Sequence, residues 1–422
     1  MPSRTSSDRS PLAADRRTCT ASARLHFPKS PTPALFFPSK ANPVVPYTRC
    51  SRITPIFFPS RFPMGREEAA LDDQFPPLAK GGGGLVVGNY CHDVLFRDGA
   101  VVGEGLGGAA SFLFSVLDPL SPCRLSFVSK VGPDFSYSVP HAPITCGSSR
   151  TTLFHAHFPS SAASAADKYH GDRVLRCVGF CEPILPLDLP AGEFEFGLAA
   201  GVAGEILTET LAVMFDLCRL MLVDVQGLIR IFDPTDGTVG LVPLRRSPFW
   251  ELLPRIGFLK ASAEEAPFVD VEEARKKCCV IVTEGKDGCS VYWKDGEVKV
   301  EPFPAVQVDP TGAGDSFLGG FVVGLCWGLT VPDAALLGNF FGALTIGQIG
   351  IPKFNHCLVK AVRQELERRG TQCEGPCQRK FSARYEKSVA HQEFKEFLIK
   401  VFELSHVDSS TELDDELSKV IS

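Results

Sequence analysis

Asp309-Pro310-Thr311-Gly312-Ala313-Gly314-Asp315-Ser316-Phe317 is the stretch on which the reading of this chain turns. Before it, Ala305 to Val308 has the composition of a strand; after it, Leu318-Gly-Gly-Phe-Val-Val-Gly-Leu325 has the small apolar composition of a buried helix. Gly312 and Gly314 let backbone approach a ligand closely and take positive φ. The amides of residues 312–315 then point outward at a helix N-terminus, where anions bind. Asp315 sits inside that anion site. The helix dipole favours its ionised form, yet a carboxylate repels phosphate. Both facts fit if Asp315 is a general base beside a phosphoryl group in transit, with the amides of Gly312, Ala313 and Gly314 stabilising the transferred charge. Thr311 can add a hydroxyl donor. The competing reading is an Asp that merely caps the helix.

The whole nonapeptide, far more specific than a bare Gly-x-Gly-Asp, resembles the C-terminal signature of the pfkB-type, ribokinase-like carbohydrate kinases. Five further stretches extend the resemblance over about 85–370, in the right order: Val87-Gly-Asn-Tyr-Cys-His-Asp-Val94, Leu106-Gly-Gly-Ala-Ala-Ser111, Ser129-Lys-Val-Gly-Pro-Asp-Phe135, Asp172-Arg-Val-Leu175 and Pro254-Arg-Ile-Gly-Phe-Leu-Lys-Ala-Ser262. They are similar to the plant members of that family that act on inositol. The resemblance implies an α/β fold: a doubly wound, mostly parallel sheet (α/β/α) with a small β lid. It also implies ATP-dependent phosphorylation of one hydroxyl of myo-inositol, giving inositol 3-phosphate on a path toward phytate. Magnesium is the implied metal, with a monovalent cation as a further candidate.

Residue by residue, the residues themselves and the resemblance point to the following. Asp93, placed just past the end of the first strand, can bind two neighbouring hydroxyls of a polyol; an ordinary turn Asp is the alternative. In the family an Asp at this place grips the substrate. Gly107 and Gly108 bring backbone to the substrate, and Ser111 stands where many members carry Asn. Lys130 is either a surface charge or a substrate contact. Asp224 ends another strand, with Gln226 and Arg230 following, and either faces the substrate or forms a local ion pair. His92 reads as a satisfied polar residue. For the nucleotide, Ser262 replaces the family's usual Asn, and Glu265 keeps the acid that holds magnesium through water, a ligand habit magnesium favours. A helix cap with acids in its first turn explains the same residues. Thr283, Gly285 and Gly288 match the family's nucleotide strand and turn, and Asn339, a lone polar residue in an apolar helix, either borders adenine or is an ordinary helix-surface Asn.

Composition excludes several other classes. With 422 residues, 44% hydrophobic and 22% charged, the chain can bury a large core. A net charge of −6 argues against a nucleic-acid binder. No apolar run is long enough to span a membrane. Fifteen cysteines have no regular spacing, and Cys373-x-x-x-Cys377 has no histidine partners at zinc-finger distance. A reducing compartment is the simpler reading. A dinucleotide-binding oxidoreductase is disfavoured because the Gly-x-Gly comes late and lacks the matching acid.

Residues 1–63 differ from the rest. Ten Arg and Lys face two Asp there, a net +8 that leaves −14 for the remainder, and prolines interrupt every period. The segment reads as disordered. Met64 reads as the true start, which places the protein in the cytoplasm; an organelle transit peptide, and so a plastid protein, is the alternative. Residues 64–84 form a linker, 85–370 the kinase domain, and 371–422 a polar tail. Within the tail, Val389 to Leu404 suggests an amphipathic helix that packs on its own domain. The sequence predicts strands at Leu85–Asn89, Leu125–Val131, Thr151–Phe158, Leu220–Asp224, Ile256–Leu259 and Cys279–Thr283, a hairpin about Asp295-Gly296, and helices at about 314–328, 332–347 and 355–369. Every motif above then falls at the carboxyl end of a strand, where such sheets bind ligands. Residue chemistry alone supports a polyol or sugar kinase; fructose, ribose or a nucleoside are alternative acceptors, and a non-catalytic kinase-like plastid partner is the alternative of another class.

Overall fold

The computed structural model describes residue 78 and residues 82–158, 173–372 and 384–405. All of these fall in the compact unit Pro59–Ser422. The basic leader 1–63, Met64 and the Cys373/Cys377 pair lie outside the described residues.

The chain opens with β1 (Gly83–Val87), β2 (Cys91–Arg97), β3 (Ala100–Gly107), α1 (Ala109–Leu120) and β4 (Arg124–Val128). Next come β5 (Lys130–Val131), β6 (Ile144–Thr145), β7 (Thr152–Phe158), β8 (Val174–Gly179), β9 (Phe194–Ala199), α2 (Thr208–Leu217) and β10 (Cys218–Asp224). A short α3 (Gln226–Ile229) leads into β11 (Arg230–Phe232) and β12 (Val239–Leu241), then β13 (Phe258–Ser262), α4 (Ala266–Val269), α5 (Val271–Ala274) and β14 (Cys279–Thr283). The hairpin β15 (Cys289–Trp293) and β16 (Gly296–Val300) precedes α6 (Ala313–Cys326), α7 (Val331–Ile346), α8 (His356–Gln372) and α9 (His391–Leu404).

Eight strands form the central sheet in the order β16-β15-β14-β13-β10-β9-β1-β4. From β14 to β4 the pairing is parallel; β15 and β16 close one edge antiparallel. Parallel strands of this kind are buried on both faces, and alternate residues here feed two cores. Val86, Phe196, Leu198, Leu222, Phe258 and Ile281 pack under α1 and α6 to α9. Leu85, Val87, Ala199, Val223, Leu259 and Val280 pack against the α2 side. The doubly wound α/β sheet expected from the sequence is present, and so is the lid: a separate four-stranded sheet ordered β3-β2-β7-β8.

Four expectations change. Gly83 and Gly84 belong to β1 and not to a linker. A Cβ on Gly84 would lie 2.2 Å from the Phe196 ring, so these glycines make room for aromatic packing. Ala305 to Val308 forms no strand. Prolines at 302, 304 and 310 deny it a ladder; instead the amides of Val308 and Asp309 donate to the Ile346 carbonyl at the end of α7. Asp93 is not past a strand end but inside lid strand β2, opposite Gly105. Lastly, a domain boundary at 370 cuts α8 and omits α9, whose Phe394, Leu398, Val401 and Phe402 are buried in the same core as α6 and α7. Around that helix, Tyr385 stacks on Trp293 at 4.7 Å and Lys387 pairs with Glu301 at 3.1 Å.

Candidate active site

Gly312 precedes α6 as its N-terminal cap, with a φ of 76° that only glycine adopts readily. A Cβ there would also collide with Phe112 of α1 at 2.0 Å, so the turn lies directly on the helix that follows β3. Asp315 occupies the first turn of α6. Its Oδ1 accepts from Nε2 of Gln226 at 3.2 Å. Asp224, at the end of β10, accepts from the Gln226 amide at 3.0 Å and from Lys260 Nζ at 2.9 Å. Lys260 rises from β13 directly under the turn: a Cβ on Gly314 would lie 2.7 Å from its ammonium. The buried Asp224–Lys260 pair therefore forms the floor beneath Asp315, and Asp224 takes the local-ion-pair role. Burial pushes the Asp315 carboxyl up to about 7; the Asp224 charge adds to the rise, and Lys260 and Arg230 oppose it. Lys260 stays firmly protonated, because its carboxylate neighbours outweigh the cost of burying it.

Asp93 faces this floor from the lid. Its Oδ1 is buried and has no hydrogen-bond partner among the described residues. Burial pushes its carboxyl up to about 7 as well, opposed by Arg173 and reinforced by the charges of Asp315 and Asp309. A Cβ on Gly107 would sit 1.9 Å from the Asp93 carboxylate, so Gly107 is the gap that carboxylate fills. Gly108, with φ 83°, turns the chain from β3 into α1 against the Asn89 carbonyl. Orphaned carboxylate oxygens are rare inside proteins and call for a ligand. Asp93 supplies one within electrostatic reach of Asp315.

The nucleotide-side candidates lie at the ends of β13 and β14, where Ser262 and Thr283 are in parallel register. Ser262 and Glu265 bond reciprocally: the Ser262 amide to Glu265 Oε2 at 2.8 Å and the Glu265 amide to Ser262 Oγ at 3.2 Å. Glu265 also contributes to the charge felt by Asp224 and Lys260. Gly285 and Gly288 both take positive φ, which forms the tight turn after β14. Asn339 is buried in α7, and its Nδ2 donates to the carbonyls of Val300 and Glu301. Thr311 Oγ1 accepts from Arg173 at 2.9 Å. Among the other residues weighed earlier, Lys130 is neither surface nor site, since it is buried against Asp188 at 2.7 Å and the Pro183 carbonyl. Ser111 bonds back to the Gly108 carbonyl, and His92 bonds to Tyr137.

Sequence reasoning named Gln226 only as a neighbour of Asp224 and gave no role to Lys260 or Arg173. A lysine inside the apolar run Phe258-Leu-Lys-Ala was the available signal, because a charge in a strand buried on both faces needs a partner. Arg173 carried no such mark.

A parallel sheet, a β lid and a Gly-rich turn bearing a carboxylate define a ribokinase-like phosphotransferase that uses an alcohol as acceptor. The comparisons with known proteins agree. Residues 249–353 match the family model for pfkB family carbohydrate kinases. Inositol 3-kinase of Zea mays is 53% identical over 347 residues, covering 78% of this chain and 90% of the maize protein. Inositol 3-kinase of Oryza sativa is 57% identical over 308 residues, covering 68% of this chain and 77% of the rice protein. Among solved structures, a pyrophosphate-dependent kinase in the ribokinase family, complexed with a pyrophosphate analog and myo-inositol, superposes with a TM-score of 0.53 at 16% identity, covering 64% of this chain and 97% of its own. Adenosine kinase from Sinorhizobium meliloti gives 0.52 at 19% identity, over 68% and 100%. The chain belongs to the pfkB family of carbohydrate kinases.

Proposed function

We propose that this enzyme transfers the terminal phosphoryl group of ATP to a hydroxyl of myo-inositol, giving inositol 3-phosphate, with Asp315 as general base. The acceptor is argued from two sides. The curated relatives that share more than half of the aligned residues are named inositol 3-kinases. In the site, the acceptor half offers carboxylates and backbone, which suits an uncharged ring of hydroxyls.

Asp93 takes two adjacent hydroxyls of the ring and so fills its orphaned valence. A third hydroxyl lies against Asp315. As its oxygen bonds to the terminal phosphorus, its proton passes to the Asp315 carboxylate and the bond from phosphorus to the bridging oxygen breaks, releasing ADP. The carboxylate accepts the proton late, because it is too weak to ionise an alcohol in the ground state. The Gly312, Ala313 and Gly314 amides meet the charge on the equatorial oxygens. Gln226 fixes the Asp315 rotamer, and the Lys260 ammonium opposes the rise that burial imposes on the Asp224 carboxyl beneath it. Ser262, Thr283, Gly285 and Gly288 flank the nucleotide, with Asn339 behind them. Among the described residues no cluster of three metal-ligating side chains exists. Glu265, bonded reciprocally to Ser262, would be the residue that supplies charge and orientation to magnesium arriving with the nucleotide.

The observation that carries this reading is the pairing of an orphaned carboxylate in the lid with a raised carboxylate in the anion hole. Turnover of the purified full chain with ATP against myo-inositol, fructose, ribose and adenosine tests it. Myo-inositol should be preferred by kcat/KM, with NMR placing the phosphate at one ring position. Preference for fructose, ribose or adenosine would overturn the acceptor assignment.

A further inference from the structure

We propose that Arg173 is a phosphate-positioning residue supplied by the lid, which grips the transferring phosphoryl group between Asp93 and the Gly-rich turn. The inference rests on the phosphotransfer reading above and assigns a role to a residue that reading does not use.

Arg173 immediately precedes β8, the outer strand of the lid. It nevertheless reaches the opposite wall of the site: its Nη1 donates to Thr311 Oγ1 at 2.9 Å, one residue before the left-handed Gly312. The same guanidinium is the largest charge opposing the burial of Asp93. It therefore lies between the carboxylate assigned to the acceptor and the amides assigned to the donor.

Of the other two cations of the site, Lys260 is committed to an ion pair, whereas Arg230, like Arg173, has a hydrogen bond but no ion pair among the described residues. Lys260 Nζ bonds to Asp224 beneath the turn, and Arg230 Nη1 donates to the Val202 carbonyl at 3.2 Å. Arg173 forms no ion pair among the described residues. Its remaining contact is a distant one over the Phe158 ring at 5.9 Å. A guanidinium carries five donors, so most of its capacity stays open in a site that otherwise holds the carboxylates Asp93, Asp309 and Asp315. A neutral polyol does not need that charge. An arriving terminal phosphate does, because Asp315 and Asp93 repel it and a guanidinium matches phosphate oxygens in paired geometry. During transfer, negative charge spreads over the three equatorial oxygens, the place where an arginine acts most strongly on rate. Since a residue of the lid provides the cation, full neutralisation is tied to the lid lying over the turn.

The test compares the full-length wild type with Arg173→Gln, Arg173→Lys and Thr311→Val. Steady-state kinetics with ATP and myo-inositol are combined with calorimetric affinities for myo-inositol and for inositol 3-phosphate. Arg173→Gln should lower kcat about 100-fold or more. Its affinity for inositol 3-phosphate should fall at least about tenfold, while its affinity for myo-inositol changes less than about threefold. Arg173→Lys should recover part of kcat, because it keeps the charge and loses the fork. Equal loss of affinity for myo-inositol and its phosphate, or an unchanged kcat, would overturn the proposal in favour of a lid-anchoring role. Should Arg173→Gln fail to fold, Arg173→Lys and Thr311→Val decide: a smaller, phosphate-selective loss supports the proposal, and no selectivity overturns it. If the wild type prefers another polyol, the functional reading fails separately, and the same comparison with that polyol and its phosphate still tests Arg173.

Discussion

Gly107 shows most plainly how a single residue serves the site by what it lacks. Its missing Cβ is the space that the Asp93 carboxylate occupies. Gly107→Ala should displace that carboxylate, raising KM for the acceptor about tenfold or more, as expected when a carboxylate's hydrogen bonds to substrate are lost, while KM for ATP stays near its wild-type value. Comparable KM changes for both substrates would count against Asp93 as the acceptor's anchor. The two raised carboxylates also make stability depend on pH. Asp93 and Asp315 titrate near 7 when folded and near 3.9 when unfolded. The folded state thus holds these protons more tightly, so their contribution is fully present below about pH 4 and is lost as pH rises toward 7. Thermal melts should show the advantage in Tm of Asp93→Asn over wild type growing between pH 4 and pH 8. An advantage independent of pH would mean that Asp93 does not titrate in this window. Of these residues, Asp315 was legible from its Gly-rich setting. Asp93 was legible as a candidate, but not its place: its orphaned oxygen depends on the packing of two lid strands, which no local pattern encodes.

At the scale of elements, the parallel strands other than β9 and the last helices could be read from apolar runs and small-residue periodicity, and Cys279–Thr283 matches to the residue. The lid strands were harder. β2 sets His92, Asp93 and Arg97 among its apolar residues and β3 carries Gly103, Gly105 and Gly107, so no clean alternation stands out in either. Asp98-Gly99, both with positive φ, was the readable hairpin signal between them. The tail illustrates another limit. Its helix was visible as amphipathic, but not that Phe394, Leu398, Val401 and Phe402 complete the core over α7, or that Arg369 lies 4.5 Å over Phe394. Each such apolar side chain contributes about 1.5–3 kcal/mol on burial, which makes their sum comparable with the whole stability of an ordinary domain. Removing residues 384–422 should therefore give an aggregating or molten protein, visible as loss of a cooperative melt. A truncated protein with an unchanged Tm would show that α9 is dispensable to the fold.

At the scale of the whole molecule, the sheet places the floor of the site and the lid places its roof. β10 and β13 deliver Asp224 and Lys260 as partners on adjacent parallel strands, and α6 sets Asp315 above them. β2 carries Asp93 over the top, and Arg173 bridges from the lid to Thr311. No described helix is long and apolar enough to cross a membrane. On the proposed reading, the chemistry depends on one carboxylate accepting a proton where the phosphoryl group arrives. The most direct measurement is single-turnover phosphorylation of myo-inositol by Asp315→Asn, alongside its ATP affinity. Transfer should slow by about 100-fold or more while ATP binds as tightly as to wild type. Transfer at a near-normal rate would contradict the account.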